Sequence, residues 1–192
     1  MDREKIMYNL NVYKNTIEEV LKIVNTYIKS NDKILVGGMA IDMALRKVGK
    51  KLYEDDKLPD YDFVSADFFK NAYELGNILA LKYNNVSVIN AFHASTMRVR
   101  VEYQEAADIT YVPLKLYKKI PTLDYKGFKI VHPHYQFIDQ HRALSTPFEN
   151  PPNETFKGRW KKDIERHDLL YKNYPVEFTD SEVTYLNYDF NY

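Results

Sequence analysis

An α+β fold is predicted: a small, mixed, twisted β-sheet with flanking helices, mainly on one face, and a mainly helical C-terminal extension. Three observations predict it. A short apolar run, Lys33-Ile34-Leu35-Val36, ends on Gly37-Gly38, and a helix-like stretch follows from Met39. The segment Asp60-Tyr61-Asp62-Phe63-Val64 alternates acidic with apolar side chains, as a half-buried strand does. The run Met97-Arg98-Val99-Arg100-Val101-Glu102-Tyr103 repeats that period of two.

Taken in order, residues 1–30 form an N-terminal helical segment, because the apolar spacing from Ile17 through Val20, Leu21, Val24 and Ile28 suits one face of a helix. Residues 31–112 form the core. Within it, Lys33–Val36 is a buried strand, Met39–Leu45 opens a helix, and Gly49–Lys57 is a charged loop. Asp60–Val64 is the next strand, and Ser65 is placed to cap a helix from about Ala66 to Tyr83. Val86–Ile89, Met97–Tyr103 and Asp108–Val112 are further strands. The extension, 113–192, begins with a short helical piece after Pro113. Tyr125-Lys126-Gly127-Phe128 has hairpin-turn chemistry, and His134–Leu144 and Phe156–Tyr171 read as helices. Pro147, Pro151 and Pro152 impose an extended link between those two helices. The end of the chain, from Asp180, fits a tail or a final strand.

Bulk properties exclude several classes of function. The 27 basic and 27 acidic residues cancel, so contact with nucleic acid would rest on local patches and not on a global field. The absence of cysteine removes disulfides and thiolate metal sites, and suits a reducing compartment. No secretory apolar region follows Met1, and no apolar run approaches membrane-spanning length, so no membrane partner is expected. The 17 tyrosines are scattered and read as a compositional bias rather than as stacking platforms.

The acidic residues carry the chemistry. On a strand, Asp60 and Asp62 share one face. Two adjacent carboxylates repel unless a cation lies between them. With Asp108 supplied by a neighbouring strand, they would form an all-oxygen pocket for magnesium or manganese, the equipment of two-metal phosphoryl or nucleotidyl transfer. Taken alone, Gly37-Gly38 fits a tight turn, and Asp60 and Asp62 fit the wet face of an edge strand. The ordered combination is more specific than any part, because glycines at a helix start also let phosphate approach the backbone. Arg98 and Arg100 share a strand face and suit either phosphates or nearby acids. Arg159, Lys161 and Lys162 around Trp160, together with Arg142, are the candidate nucleic-acid patch; taken by itself, such a cluster is better read as a solvated helix turn. His132 and His134 flank Pro133 without a fourth soft ligand for zinc.

Leu35-Val36-Gly37-Gly38, Asp60-Tyr61-Asp62 and Asp108 together resemble the DNA polymerase β-type nucleotidyltransferase superfamily. The stretch from His132 to Ser145, then Pro147-Phe148-Glu149-Asn150-Pro151-Pro152 and Arg159-Trp160-Lys161-Lys162-Asp163, is similar to the poly(A) polymerase catalytic subunit of large cytoplasmic DNA viruses. Met39 stands where many superfamily members carry serine, which removes a hydroxyl contact to phosphate. The resemblance implies two magnesium or manganese ions held by Asp60, Asp62 and Asp108. It also implies ATP with its triphosphate at Gly37 and Gly38, and an RNA 3′ end as acceptor. Viral enzymes of this type are larger, so it further implies additional domains or a protein subunit. It implies action in the host cytoplasm, a viral factory or a virion. A nucleotidyltransferase with a protein, tRNA or small-molecule acceptor, or a non-catalytic subunit of an RNA-processing complex, are the competing readings. Retention of all three acids disfavours the non-catalytic one.

Overall fold

The computed structural model describes residues 3–91, 94–145 and 153–176, with side chains described over 13–91, 94–145 and 160–176. The helices are α1 (Arg3–Ser30), α2 (Gly37–Lys47), α3 (Phe68–Ala80), α4 (Leu114–Tyr117), α5 (Pro133–Ser145) and α6 (Asn153–Asn173). The strands are β1 (Ile34–Val36), β2 (Tyr61–Ser65), β3 (Val86–Asn90), β4 (Thr96–Val101), β5 (Gln104–Tyr111), β6 (Thr122–Tyr125) and β7 (Phe128–Val131). They form one mixed sheet in the order β3-β4-β5-β2-β1-β7-β6. The β2–β5 and β1–β7 pairs are parallel and the others antiparallel.

A single core joins the sheet to α1, α2 and α3. Val20, Val24 and Ile28 of α1 meet Leu35, Phe63, Val99, Ile109 and Ile130 of the sheet, all fully buried. The one-residue alternation of strands then decides the other face: with Phe63 and Ile109 in this core, Asp62 and Asp108 must point away from it. A smaller cluster, Ile41, Leu45 and Leu170, fastens α6 to α2.

The α+β class holds, with differences in extent. The sheet has seven strands, because the hairpin β6–β7 pairs with β1 and so carries the sheet past residue 112. Its turn is made by Lys126 and Gly127, both with positive φ, the backbone that the twist of a two-residue hairpin favours. Ser65 ends β2 and is not the cap of α3. Asp67 takes that position, and the Ser65 hydroxyl accepts the Asp67 N–H at 3.0 Å. β2 starts at Tyr61, so Asp60 immediately precedes the strand. The extended link at Pro147, Pro151 and Pro152 and the segment from Asp180 lie outside the described residues.

The charged loop after α2 is ordered by one carboxylate. Asp42 is buried, and its Oδ1 accepts the backbone N–H groups of Leu52 and Tyr53 at 2.8 and 2.9 Å. Its Oδ2 accepts Arg46 Nε at 2.6 Å, and Arg46 also reaches Asp55 and the Tyr53 carbonyl. Asp42→Ala leaves two amides and the Arg46 Nε–H without their acceptor. It should cost roughly 3 kcal/mol in urea unfolding, the scale for orphaning buried polar partners. Limited proteolysis between residues 49 and 57 should quicken in the same variant.

Candidate active site

The register of the sheet brings the acids together. Asp62 on β2 lies directly opposite Asp108 on the parallel neighbour β5. Asp60, two residues before Asp62, joins them, and one carboxylate oxygen from each of the three lies within 4.8 Å of the others. Among the described residues, this is the one group of acids or histidines with metal-binding spacing.

The electrostatics match that crowding. Burial, then the charges of Asp60 and Asp108, push the Asp62 carboxyl up to about 7. Asp62 is half-buried by surface exposure but enclosed by protein on most sides, so desolvation dominates. Asp60 is raised by burial, then by Asp108 and Glu105. Arg166 and Lys162, both on α6, act in the opposite sense on Asp62. The donor set fits a hard divalent cation: three carboxylates, all oxygen, converging and mutually repelling when no cation is bound.

Gly37 makes the convergence possible. Its φ is +66°, and a Cβ there would lie 2.2 Å from Asp62 Oδ2. Only glycine both adopts this backbone and leaves room for the carboxylate. The Gly37 carbonyl accepts Gln136 Nε2 of α5 at 2.9 Å. Gly38 is constrained differently. A Cβ there would lie 2.1 Å from the Tyr53 hydroxyl and 2.6 Å from Arg166 Nη2, and those two groups are hydrogen-bonded at 2.9 Å. The direction in which a residue-38 side chain would project is therefore filled by the protein itself. What the turn retains for phosphate is the start of α2, which has no side-chain cap.

The candidate basic residues lie on α5 and α6. Arg142 is exposed on α5, 3.7 Å from Asp139, and Lys161 is exposed on α6, 3.9 Å from Glu165. Lys162 bears on Asp62. The Arg159 side chain lies outside the described residues. Of the two readings of Arg98 and Arg100, pairing with acids is the one observed, to Asp108 and Glu105. His132 Nδ1 accepts the His134 N–H at 3.2 Å, so the two histidines organise the start of α5. Sequence reading missed Tyr53, Gln136 and Arg166. The spacing of Arg166 four residues after Lys162 was a usable signal, since it puts both on one side of a helix; nothing local marks Tyr53 or Gln136.

The family model described as poly(A) polymerase catalytic subunit matches residues 22–150. A relative so described from African swine fever virus (isolate Pig/Kenya/KEN-50/1950) is 40% identical over 176 residues, covering 91% of this chain and 37% of the relative. One from Acanthamoeba polyphaga mimivirus is 30% identical over 168 residues, covering 85% and 28%. The crystal structure of the Megavirus polyadenylate synthase superposes with a TM-score of 0.77 at 30% identity, covering 87% of this chain and 33% of that one. The chain thus spans about a third of the length of the relatives it matches.

Two predictions follow from the geometry. Asp62 has its ordinary value of 3.8 in the unfolded chain and about 7 in the folded one. Between those values the folded chain holds a proton that the unfolded chain has released. Metal-free stability therefore falls as pH rises through this window, and the loss is complete above it. Melting temperatures should show that fall, magnesium at pH 7.5 should reverse it, and Asp62→Asn should flatten the slope and abolish the magnesium effect. Separately, Gly37→Ala forces both strain and a clash with Asp62. It should destabilise the chain by about 1–3 kcal/mol in denaturant unfolding and remove the magnesium-induced shift.

Proposed function

Because the chain belongs to the family of poly(A) polymerase catalytic subunits, we propose that it is the nucleotidyl-transferring part of an enzyme adding AMP from ATP to RNA 3′ ends. The observation that carries this reading is the convergence of Asp60, Asp62 and Asp108 beside the Gly37-Gly38 turn. In the reaction, the RNA 3′-oxygen attacks the α-phosphorus of ATP, the bond to the bridging oxygen breaks, and pyrophosphate leaves.

Each residue has a defined part. Asp60 and Asp62 would hold both divalent ions, and Asp108 would complete the site for the ion nearer the attacking hydroxyl. Magnesium or manganese bound there would lower the pKa of that hydroxyl and neutralise charge on the departing pyrophosphate. The start of α2 offers its backbone N–H groups to the phosphates. Lys162 and Arg166 bring positive charge to the same side of the acids, which favours an incoming polyphosphate. Catalysis is then positioning and electrostatics.

RNA is the acceptor in this reading, held by a local patch that includes Arg142, Arg159, Lys161 and Lys162. The relatives are described as catalytic subunits, which supports a further protein subunit in the working assembly. The viral sources of the relatives support action in the host cytoplasm, a viral factory or a virion. Among the described residues, no helix is long and apolar enough to cross a membrane.

Incubation with each nucleoside triphosphate, magnesium or manganese and a short RNA should give 3′ extension, with ATP preferred. Asp62→Asn and Asp108→Asn should abolish it. Incorporation into protein or a small molecule with none into RNA would replace the acceptor, and none under any condition would remove the activity. Charge reversal at Lys161 and Lys162 should weaken RNA binding and flatten its salt dependence by roughly 0.7 in log–log slope per lost contact. An unchanged slope would assign both lysines to a solvated helix face.

A further inference from the structure

One side of the acid cluster is bound by an arginine. Arg98 on β4 lies opposite Asp108 in register and forms a fork on it, with Nε to Oδ1 at 2.8 Å and Nη2 to Oδ2 at 2.7 Å. Its remaining nitrogen, Nη1, pairs with Glu105, and Arg100 reaches the same Glu105 at 3.5 Å. The fork uses one acceptor position on each Asp108 oxygen. Each oxygen keeps a second acceptor position, and one carboxylate oxygen of Asp108 lies within 4.8 Å of one from each of Asp60 and Asp62.

Glu105 owes its place to a bulge. The β4–β5 ladder pairs Arg98 with Asp108 and Val99 with Ala107, then shifts so that Arg100 meets Glu105. Ala106 is the extra residue, and both Ala106 and Ala107 are buried. In an unbulged ladder Ala106 would oppose Arg100, and Glu105 would fall on the core side. The bulge turns Glu105 onto the face that carries Arg98 and Asp108.

We infer that Arg98 is a positioning residue for Asp108, with Glu105, brought round by the Ala106 bulge, as its anchor. Repulsion from Asp60 and Asp62 would otherwise rotate the Asp108 carboxylate out of the cluster. A point charge could attract that carboxylate, but only a planar two-donor group fixes its plane. Glu105 prevents the guanidinium from following the pull of Asp60 away from Asp108. The fork therefore persists when the cation binds. The inference rests on the reading that these carboxylates hold metal for nucleotidyl transfer.

The test has two arms. In the first, Arg98→Lys keeps the charge and loses the fork. Its kcat for nucleotide transfer should fall roughly a hundredfold, the scale for a misplaced catalytic group. Its KM for ATP and its magnesium-induced stabilisation should stay near wild type. Wild-type kcat in Arg98→Lys overturns the inference. The second arm needs no activity. In wild-type chain with ¹⁵N-labelled arginine, one Nε–H signal, absent from Arg98→Lys, should exchange slowly and survive saturating magnesium. Glu105→Gln should speed its exchange. Loss of that signal on adding magnesium means the fork opens, which also overturns the inference. If wild type transfers no nucleotide, the proposed function fails while the Nε–H signal still decides the role of Arg98. If magnesium does not bind at all, site and inference fall together.

Discussion

Three carboxylates on one sheet face repel one another, and the site is organised around containing that repulsion. The fold supplies the crowding through strand register: Asp62 and Asp108 are direct neighbours on parallel strands, and Asp60 precedes Asp62 by two residues. Burial first, and the neighbouring carboxylates second, raise the proton affinity of Asp60 and Asp62. A proton, the neighbouring Arg98, Arg166 and Lys162, or a bound divalent cation would each relieve that crowding.

The surroundings hold this arrangement from three sides. Gly37 removes the one atom that would exclude Asp62. Arg98 fixes Asp108 from β4. Asp42 folds the loop after α2 so that Tyr53 reaches Arg166 over Gly38. That last chain of contacts couples α6 to the helix start beside the acids. Lys162 and Arg166 consequently stand on the cluster's cationic side, where a polyphosphate would arrive.

Much of this was legible in the residues. Glycine after a short apolar strand, an Asp-x-Asp pair and a later single Asp are local patterns, and the three acids meet, although Asp60 stands just before β2 and Asp108 sits within β5 rather than at its start. The alternation within Met97–Tyr103 puts Arg98 and Arg100 on one face of β4, but the strand ends at Val101, and Glu102 and Tyr103, both with positive φ, make the turn to β5. Other features depend on tertiary contact. The Ala106 bulge is a shift between two strands, invisible in either alone, and it decides whether Glu105 meets Arg98 or the core. Gly49–Lys57 reads as a charged loop and nothing in it shows how it is ordered, because its ordering acceptor, Asp42, sits on the preceding helix. The hairpin Thr122–Val131 showed its turn but not its partner, since pairing with β1 is set by contacts nearly a hundred residues apart.

Proton release on magnesium binding tests the central claim most directly, because it depends on the shared carboxylates and not on any acceptor. Titration calorimetry at pH 6 in buffers of different ionisation enthalpy should show about one proton released per chain. The release should fade above pH 8, where Asp62 is already ionised, and vanish in Asp62→Asn. Magnesium binding with no proton release at pH 6, or release unchanged in Asp62→Asn, would contradict a single site built on Asp60, Asp62 and Asp108.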